Sequence, residues 1–312
     1  MSDEEVTPVI EIGGSHVVMA TTLGSGANLR IGSLLRRDID SGSGARDIIA
    51  QIAAAANSVN VPRRLDWAAA IPGPFDYVNG VGEFASVGKF EALRGVSVRD
   101  ELLGALSSEP ASIRFINDAD AFGLGEARVG LASGHKRSIS VTVGTGIGSA
   151  FVEDGEAVTT GARVPPQGHA HLWNYAGAPL EETISSRALT REYLRATGLT
   201  CDVREILNRV RQGDTVALTV AERSFVALGE SIGAWVELFD ASAVIVGGSM
   251  VGSWDVIEEP IGRGIASILG TNWHRSLSLI PTEDTIEAAV LGAASWLQAQ
   301  HTSTFSVDPS LN

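Results

Sequence analysis

The 312-residue chain is 44% hydrophobic and 19% charged, with 35 glycines, one cysteine and a formal net charge of −14. A surface that acidic repels nucleic acid and anionic membranes at long range, so neither is an expected partner, and any phosphate site has to be built locally from backbone amides, helix ends and a metal ion. Cys201 alone excludes an internal disulfide framework and a cysteine-based zinc site; with no basic-then-apolar leader and no membrane-length apolar run, a cytoplasmic location is expected.

The length suits two domains, each with its own core. Val9 to Ile12 is a short apolar run stopped by Gly13-Gly14 and resumed by Val17 to Thr22, which reads as a β-hairpin with a glycine turn. Leu29 to Leu35 follows as a third strand, and Asp47 to Val59, alanine-rich with Ile48, Ile49 and Ile52, as a helix. Leu65 to Ile71 is a buried strand ending at Pro72-Gly73-Pro74, and Ile113 to Ile116 another, with a helix from Ala119 onward. The same grammar returns at Ser138 to Val143, the turn Gly144-Thr145-Gly146-Ile147-Gly148, and Ala150 to Glu153. A helix-rich stretch from about Glu181 to Asp240 leads to the strand Val244 to Val246, closed by Gly247-Gly248-Ser249. Ile286 to Gln298 reads as a helix, and His301 to Asn312 as a loose polar tail.

Three glycine turns therefore stand at strand ends. Glycine lets successive N–H groups approach a phosphate with no Cβ in the way, and Ser15 and Thr145 add hydroxyl donors. Taken singly each is an ordinary structural turn; the set of three is the signal. No G-x-x-x-x-G-K-[ST] loop and no strand–G-x-G-x-x-G–helix fingerprint accompanies them. The second cluster is Asn117-Asp118-Ala119-Asp120-Ala121 at a strand-to-helix junction. Asn117 or Asp118 can be a plain helix cap, and an aspartate facing glycine-bound phosphates can equally accept a hydroxyl proton in phosphoryl transfer. The third cluster is Gly168-His169-Ala170-His171 followed by Leu180-Glu181-Glu182, whose His and Glu side chains suit several sugar hydroxyls. The paired histidines also suggest a metal, weakly, since Glu181 is the nearest carboxylate.

In order, Ile-Gly-Gly-Ser, Pro-Gly-Pro, Asn-Asp-Ala-Asp-Ala, Gly-Thr-Gly-Ile-Gly, Gly-His, Leu-Glu-x-x-x-Ser, Gly-Gly and Ala-Ala-x-Leu-Gly-Ala-Ala run from Val9 to Leu297. That series resembles the ROK family (repressor, open reading frame, kinase) of bacterial sugar kinases. The resemblance implies an α/β, two-domain actin-like, ribonuclease-H-like fold with a central cleft for ATP and a hexose. It implies a small domain of residues 1–117 with a C-terminal helix at about 286–299, a larger domain of 118–285, and a tail of 300–312. By position, Asp118 would be the general base for a hexose hydroxyl, usually the 6-hydroxyl. Gly73, Asn117, His169 and Glu181 would meet the sugar. Gly13, Gly14 and Ser15 would approach the γ-phosphate, Gly144, Thr145 and Gly146 the β-phosphate, and Gly247 and Gly248 the adenosine. Magnesium would travel with the nucleotide, near Glu11. A homodimer is implied.

Four departures qualify the likeness. Glu11 stands where the family's turn begins with Asp, and His16 where a Lys or similar residue follows the turn. The Glu usual before the Gly-His histidine is replaced at Pro165-Pro166. The cysteine-rich zinc segment is missing, so no structural zinc is expected, and Trp173, Tyr175 and the prolines must order the loop by packing. The Asn-Asp-Ala-Asp and Gly-Thr-Gly-Ile-Gly-Ser-Ala wording also resembles the polyphosphate glucokinases of the family. Glucose with ATP is the first expectation, with polyphosphate as the alternative donor and a non-catalytic sugar-binding regulator as the alternative function. A family repressor would need a DNA-binding helix-turn-helix ahead of the first strand, for which the eight residues before Val9 leave no room.

Overall fold

The computed structural model describes residues 4–282 and 284–304. In chain order the first elements are β1 (Val6–Ile12), β2 (His16–Leu23), β3 (Arg30–Asp38), α1 (Ala45–Ala56), β4 (Asp66–Ile71), β5 (Phe75–Asp76), β6 (Val81–Gly82), α2 (Val98–Ala105), β7 (Ser112–Asn117) and α3 (Asp118–Arg128). There follow β8 (Arg137–Val143), β9 (Ile147–Glu153), β10 (Glu156–Ala157), β11 (Asn174–Tyr175) and β12 (Ala178–Pro179). The last are α4 (Glu181–Ile184), α5 (Ser186–Thr197), α6 (Val203–Arg211), α7 (Thr215–Phe239), β13 (Ala243–Gly247), α8 (Trp254–Leu269), β14 (Ser278–Pro281) and α9 (Thr285–Thr304). No helix among the described residues is long and apolar enough to cross a membrane.

Two five-stranded sheets carry the molecule, ordered β3-β2-β1-β4-β7 and β10-β9-β8-β13-β14. In each, the first three strands are antiparallel and the last two join in parallel. The second sheet thus repeats the first, with β8 in the place of β1 and the Gly144 turn in the place of the Gly13 turn. A parallel strand needs a crossover, and helices supply it: α1 and α2 in the first half, α5 to α8 in the second. Central strands lie between covered faces, so they read as unbroken apolar runs rather than alternating ones. Ile10 and Ile12 on β1 are fully buried, as are Val244, Ile245 and Val246 on β13. The edge strand β3 is mostly exposed and carries Arg30, Arg36 and Arg37, charges that discourage edge pairing.

The chain divides into two compact units, one taking in residues up to Gly130 and again those from Ile286, the other running Leu131–Thr285. The first boundary falls after Gly130 rather than after Asn117, because α3 is locked to α9. A Cβ on Gly125 would stand 1.9 Å from the carbonyl oxygen of Ala288, and one on Gly292 would stand 1.7 Å from that of Ala121. Each helix follows the fifth strand of its sheet, and in each the alanine is the fourth residue and the glycine the eighth. The pair therefore meets through equivalent positions, backbone against backbone. In the other unit α7 and α8 close on each other likewise, a Cβ on Gly264 falling 2.2 Å from the Val226 carbonyl oxygen.

One sequence expectation changes at the C-terminus. α9 continues to Thr304, so His301 to Thr304 belong to the helix and not to a tail; His301 is held 3.1 Å from the Asp66 carboxylate. Residues 305–312 lie outside the described residues. α8 spans a stretch with Pro260 inside it, a residue that reads as a breaker but is accommodated, buried, in the second turn.

The α3–α9 contact gives a paired test in urea. Gly292→Ala is expected to lower stability by about 3 kcal/mol, since the added methyl meets backbone that cannot step aside. Gly104→Ala, in α2 with open space around it, should raise stability by about 0.5–1 kcal/mol. Equal effects of the two would refute the close-contact account.

Candidate functional site

In the first unit the site is built on two strand ends. The β1–β2 turn closes by the Gly13 N–H donating to the His16 carbonyl at 2.9 Å, while the Ser41 hydroxyl donates to the Gly14 carbonyl at 2.5 Å and the Ile39 N–H to Ser15 at 3.1 Å. Neither glycine has a positive φ; they are needed for space. A Cβ on Gly13 would stand 2.5 Å from the His16 ring, and one on Gly14 would stand 3.1 Å from Cδ of Lys89. Ser15 is exposed at the tip. Beneath the turn Glu11, only 7% exposed, brings Oε2 to 3.3 Å from His16 Nε2, without hydrogen-bond geometry to any partner.

The second strand end is that of β7. Asn117 is the N-cap of α3: its Oδ1 accepts from Ala119 N–H at 3.0 Å and Asp120 N–H at 3.2 Å, and its Nδ2 donates to the Tyr77 hydroxyl at 2.9 Å. Tyr77 in turn donates to the Ile71 carbonyl at 3.2 Å, and its hydroxyl oxygen stands 3.4 Å from where a Gly73 Cβ would be. The capping role therefore falls to Asn117 and leaves Asp118 free of it. Asn117 keeps a single Nδ2 hydrogen for a ligand, less than the expected sugar contact suggested. Asp118 opens α3, with Oδ1 accepting only the N–H of Ala119 at 2.9 Å. Its other oxygen has no hydrogen-bond partner among the described residues.

Protein packed round the Asp118 carboxyl removes its water and pushes its pKa above the usual carboxylate range; Lys89 pulls against this and Glu11 adds to it. Asp120, desolvated and repelled by Asp118, is pushed up to about 7. Burial likewise raises the Tyr77 hydroxyl, which stays neutral as a hydrogen-bonding group. Like charges at close range repel, and at Asp118 the nearby Lys89 offsets part of that repulsion.

In the second unit the Gly144 N–H donates to the Gly146 carbonyl at 3.0 Å, and Ser186 grips the Gly144 carbonyl with both its N–H and its hydroxyl, each at 2.8 Å. Thr145 is exposed at the tip. The turn after β13 lies beside it: a Gly144 Cβ would be 3.3 Å from Ser249 Oγ, and Gly248, at φ +96°, abuts the Val143 backbone. The Gly144 and Gly247-Gly248 turns thus come together within this unit. Glu181 is brought to the same place. Its Oε2 accepts from Ile147 N–H at 3.3 Å and would stand 2.6 Å from a Gly146 Cβ, while Oε1 pairs with Arg187 at 2.5 Å.

His169 is the extended residue between two 3-10 turns, Pro166–Gly168 and Ala170–Leu172, the second of which carries His171. The two rings stack at 5.2 Å and 28°. Burial, then the neighbouring His171, lowers the His169 pKa and favours its neutral form. Ser149, 1% exposed on β9, fixes this segment by donating to the Gly168 carbonyl at 2.7 Å and accepting from Ala170 N–H at 2.8 Å. The loop beyond is ordered by packing: Trp173 meets Trp235 edge-on at 5.8 Å, and the Tyr175 hydroxyl donates to Glu230 at 2.5 Å.

Lys89, Tyr77, Ser149 and Arg187 were not singled out from sequence. Tyr77 and Ser149 act through folded contacts that no spacing announces. Lys89 had a signal: it is one of two lysines among 23 Lys and Arg residues. No group of three or more His, Cys, Asp or Glu side chains is gathered for a metal among the described residues. Glu11 Oε2, buried and without a hydrogen bond but 3.3 Å from His16 Nε2, is a carboxylate oxygen under the turn that would fit a magnesium ion brought with phosphates.

The model of the ROK family matches residues 44–300. A glucokinase of Thermotoga maritima is 25% identical, over 92% of this chain and 95% of its own length. Among solved structures, a ROK hexokinase from Thermus thermophilus has a TM-score of 0.72 at 23% identity, covering 95% of this chain and 100% of that one. A ROK family glucokinase from Streptomyces griseus, in complex with glucose and AMPPNP, has a TM-score of 0.71 at 23% identity, covering 94% and 99%. With these likenesses goes the two-domain actin-like fold.

Asp120 supplies a pH test. Its folded pKa of about 7 lies above its ordinary 3.8, so between about pH 4 and 7 the folded chain holds more protons than the unfolded one, and stability falls as pH rises through that window. Asp120→Asn removes the ionisation. The variant should be more stable than the parent at pH 8 and lose that advantage at pH 4 in urea titrations; an equal difference at both pH values would contradict the assignment.

Proposed function

The chain belongs to the ROK family, and from that premise we propose that it is a sugar kinase transferring a phosphoryl group from ATP to a hexose hydroxyl, with Asp118 as the general base. The observation that carries the reading is the Asp118 carboxylate. It is relieved of capping by Asn117, opens α3 where it feels the charges of Glu11 and Lys89, and has one oxygen left over. Phosphoryl transfer demands alignment, charge neutralisation and a carboxylate to take the hydroxyl proton. Desolvation that raises the Asp118 pKa makes it a better proton acceptor while leaving it ionised at higher pH.

The remaining roles follow the halves of the site. The Gly13-Gly14-Ser15 turn presents backbone N–H groups and a hydroxyl to the terminal phosphate. Gly144, Thr145 and Gly146 do so for the inner phosphate, with Gly247 and Gly248 beside them for the nucleoside. The neutral His169 ring and the spare Asn117 hydrogen orient the sugar, with Gly73 leaving room on the Tyr77 side. Glu181, held by Arg187 and the Ile147 amide, acts as a fixed acceptor at the edge of the phosphate turn. Magnesium, when bound near Glu11, supplies charge neutralisation on the phosphates. Glucose is the first sugar to try, followed by mannose and N-acetylated hexosamines.

A coupled assay over that sugar panel, with ATP and with inorganic polyphosphate as donors, tests the reading. Turnover of a hexose with ATP is expected; silence on every sugar with both donors would overturn it in favour of a non-catalytic sugar-binding protein. Asp118→Asn should cut kcat by about 100- to 10,000-fold with sugar binding retained, because the amide keeps its hydrogen bonds but cannot accept a proton. With the parent enzyme, kcat should decline towards acid pH with a midpoint above the ordinary aspartate value, the base being lost as it protonates.

A further inference from the structure

Lys89 lies in the segment between β6 and α2 and is placed there with unusual firmness. Its neighbours Gly88 and Phe90 both have positive φ, +73° and +57°. For a bulky residue such as Phe90 that is a conformation the surroundings must impose. They do so by burying the Phe90 ring completely, 5.4 Å from Phe84, and by bonding Phe90 N–H to the Ser41 carbonyl at 2.9 Å. Gly88 N–H is held by the Glu91 carboxylate at 3.0 Å. Ser41 is the same residue whose hydroxyl holds the Gly14 carbonyl. One residue thus ties the phosphate-approaching turn to the segment that presents Lys89.

The lysine stem runs across Gly14, within 3.1 Å of where a Cβ would sit, so a side chain at position 14 would push it away. Lys89 is only partly exposed and makes no salt bridge among the described residues. Its charge is nevertheless felt at Asp118, in a cluster that also holds Glu11 and Asp120. An ordinary surface lysine swings free in water; this one has a fixed backbone, a covered stem and an unpaired ammonium group. His16, the residue following the turn, is turned back onto Gly13 and Glu11 and does not serve as that cation.

We propose that Lys89 is a catalytic residue that contacts the transferring phosphoryl group, supplying from a distant loop the positive charge that the Gly13-Gly14-Ser15 turn itself lacks. The inference rests on the kinase reading and adds to it a residue for which no sequence motif speaks. An ammonium aimed at the phosphoryl oxygens offsets charge shared between donor and acceptor in the transition state, where three nearby carboxyl groups would otherwise oppose the approach of a polyanion. Such a group acts on turnover rather than on sugar affinity.

The test uses the full chain with its best sugar and ATP. Lys89→Met, close in length and uncharged, should lower kcat about 100-fold, with sugar KM within threefold of the parent and an unchanged melting temperature. Lys89→Cys should be equally slow. Its alkylation with 2-bromoethylamine, which rebuilds an ammonium at nearly the lysine length, should restore at least a tenth of parental kcat, whereas iodoacetamide should restore none. Parent protein treated in parallel controls for the buried Cys201. A Lys89→Met kcat within threefold of the parent, a defect confined to sugar KM, or equal recovery with both reagents would overturn the proposal. Inactivity of the parent itself on every sugar and donor would instead sink the kinase reading, so the two failures are distinguishable.

Discussion

The amide of Asn117 is the interaction on which the start of α3, and with it the setting of Asp118, depends. An α-helix leaves its first N–H groups unpaired, and a side-chain oxygen at the N-cap is worth about 1 kcal/mol in closing them. Had Asp118 taken that role, two N–H donors would have stabilised its charge and drawn its pKa down. Asn117 takes both, held in place through Nδ2 by Tyr77. Asp118 is then left with one weakly oriented backbone contact and a desolvated carboxyl. A neutral cap beside a desolvated carboxyl separates the helix-closing task from the acidic group next to it.

The two repeats of the sheet are furnished differently around the same turn. In the second unit the Gly144 carbonyl is occupied by Ser186 and the adjacent Gly146 lies against Glu181, itself paired with Arg187. Charges there are matched close at hand. In the first unit Glu11 lies beneath the Gly13-Gly14 turn, and Asp118 and Asp120 feel each other's charge. For a chain with a net charge of −14, a polyanionic ligand would have to be met by a few placed N–H groups and cations, since the protein's overall field opposes it.

Much of this was legible in the amino-acid order, because the hairpins, α1, β4, β8 and β13 announce themselves by continuous apolar runs punctuated by glycine or proline. The strand-to-helix junction at Asn117 and Asp118 was visible too, but which residue caps was not, since both are good N-caps and only the folded position of Tyr77 separates them. α8 was hidden by Pro260, whose meaning depends on burial rather than identity. β14 has four residues and ends in proline, too short for its period to show. Lys89 was marked in the sequence only by the rarity of lysine, which says nothing of what it does. Its significance comes from Phe90 and Ser41, contacts set by three-dimensional packing, and a lone lysine in a loop carries no spacing by which to recognise it.

The grip between α3 and α9 has a further bearing on how the chain comes to be. The residues that meet, Gly125 with Ala288 and Ala121 with Gly292, are separated in sequence by the whole of the second unit. During synthesis from the N-terminus, that second unit can condense around its own core while α3 still lacks the surface it packs against. The helix that begins with Asp118 is thus among the last to be secured, and the Asp118 carboxyl is set in its final position only when nearly the entire polypeptide has emerged.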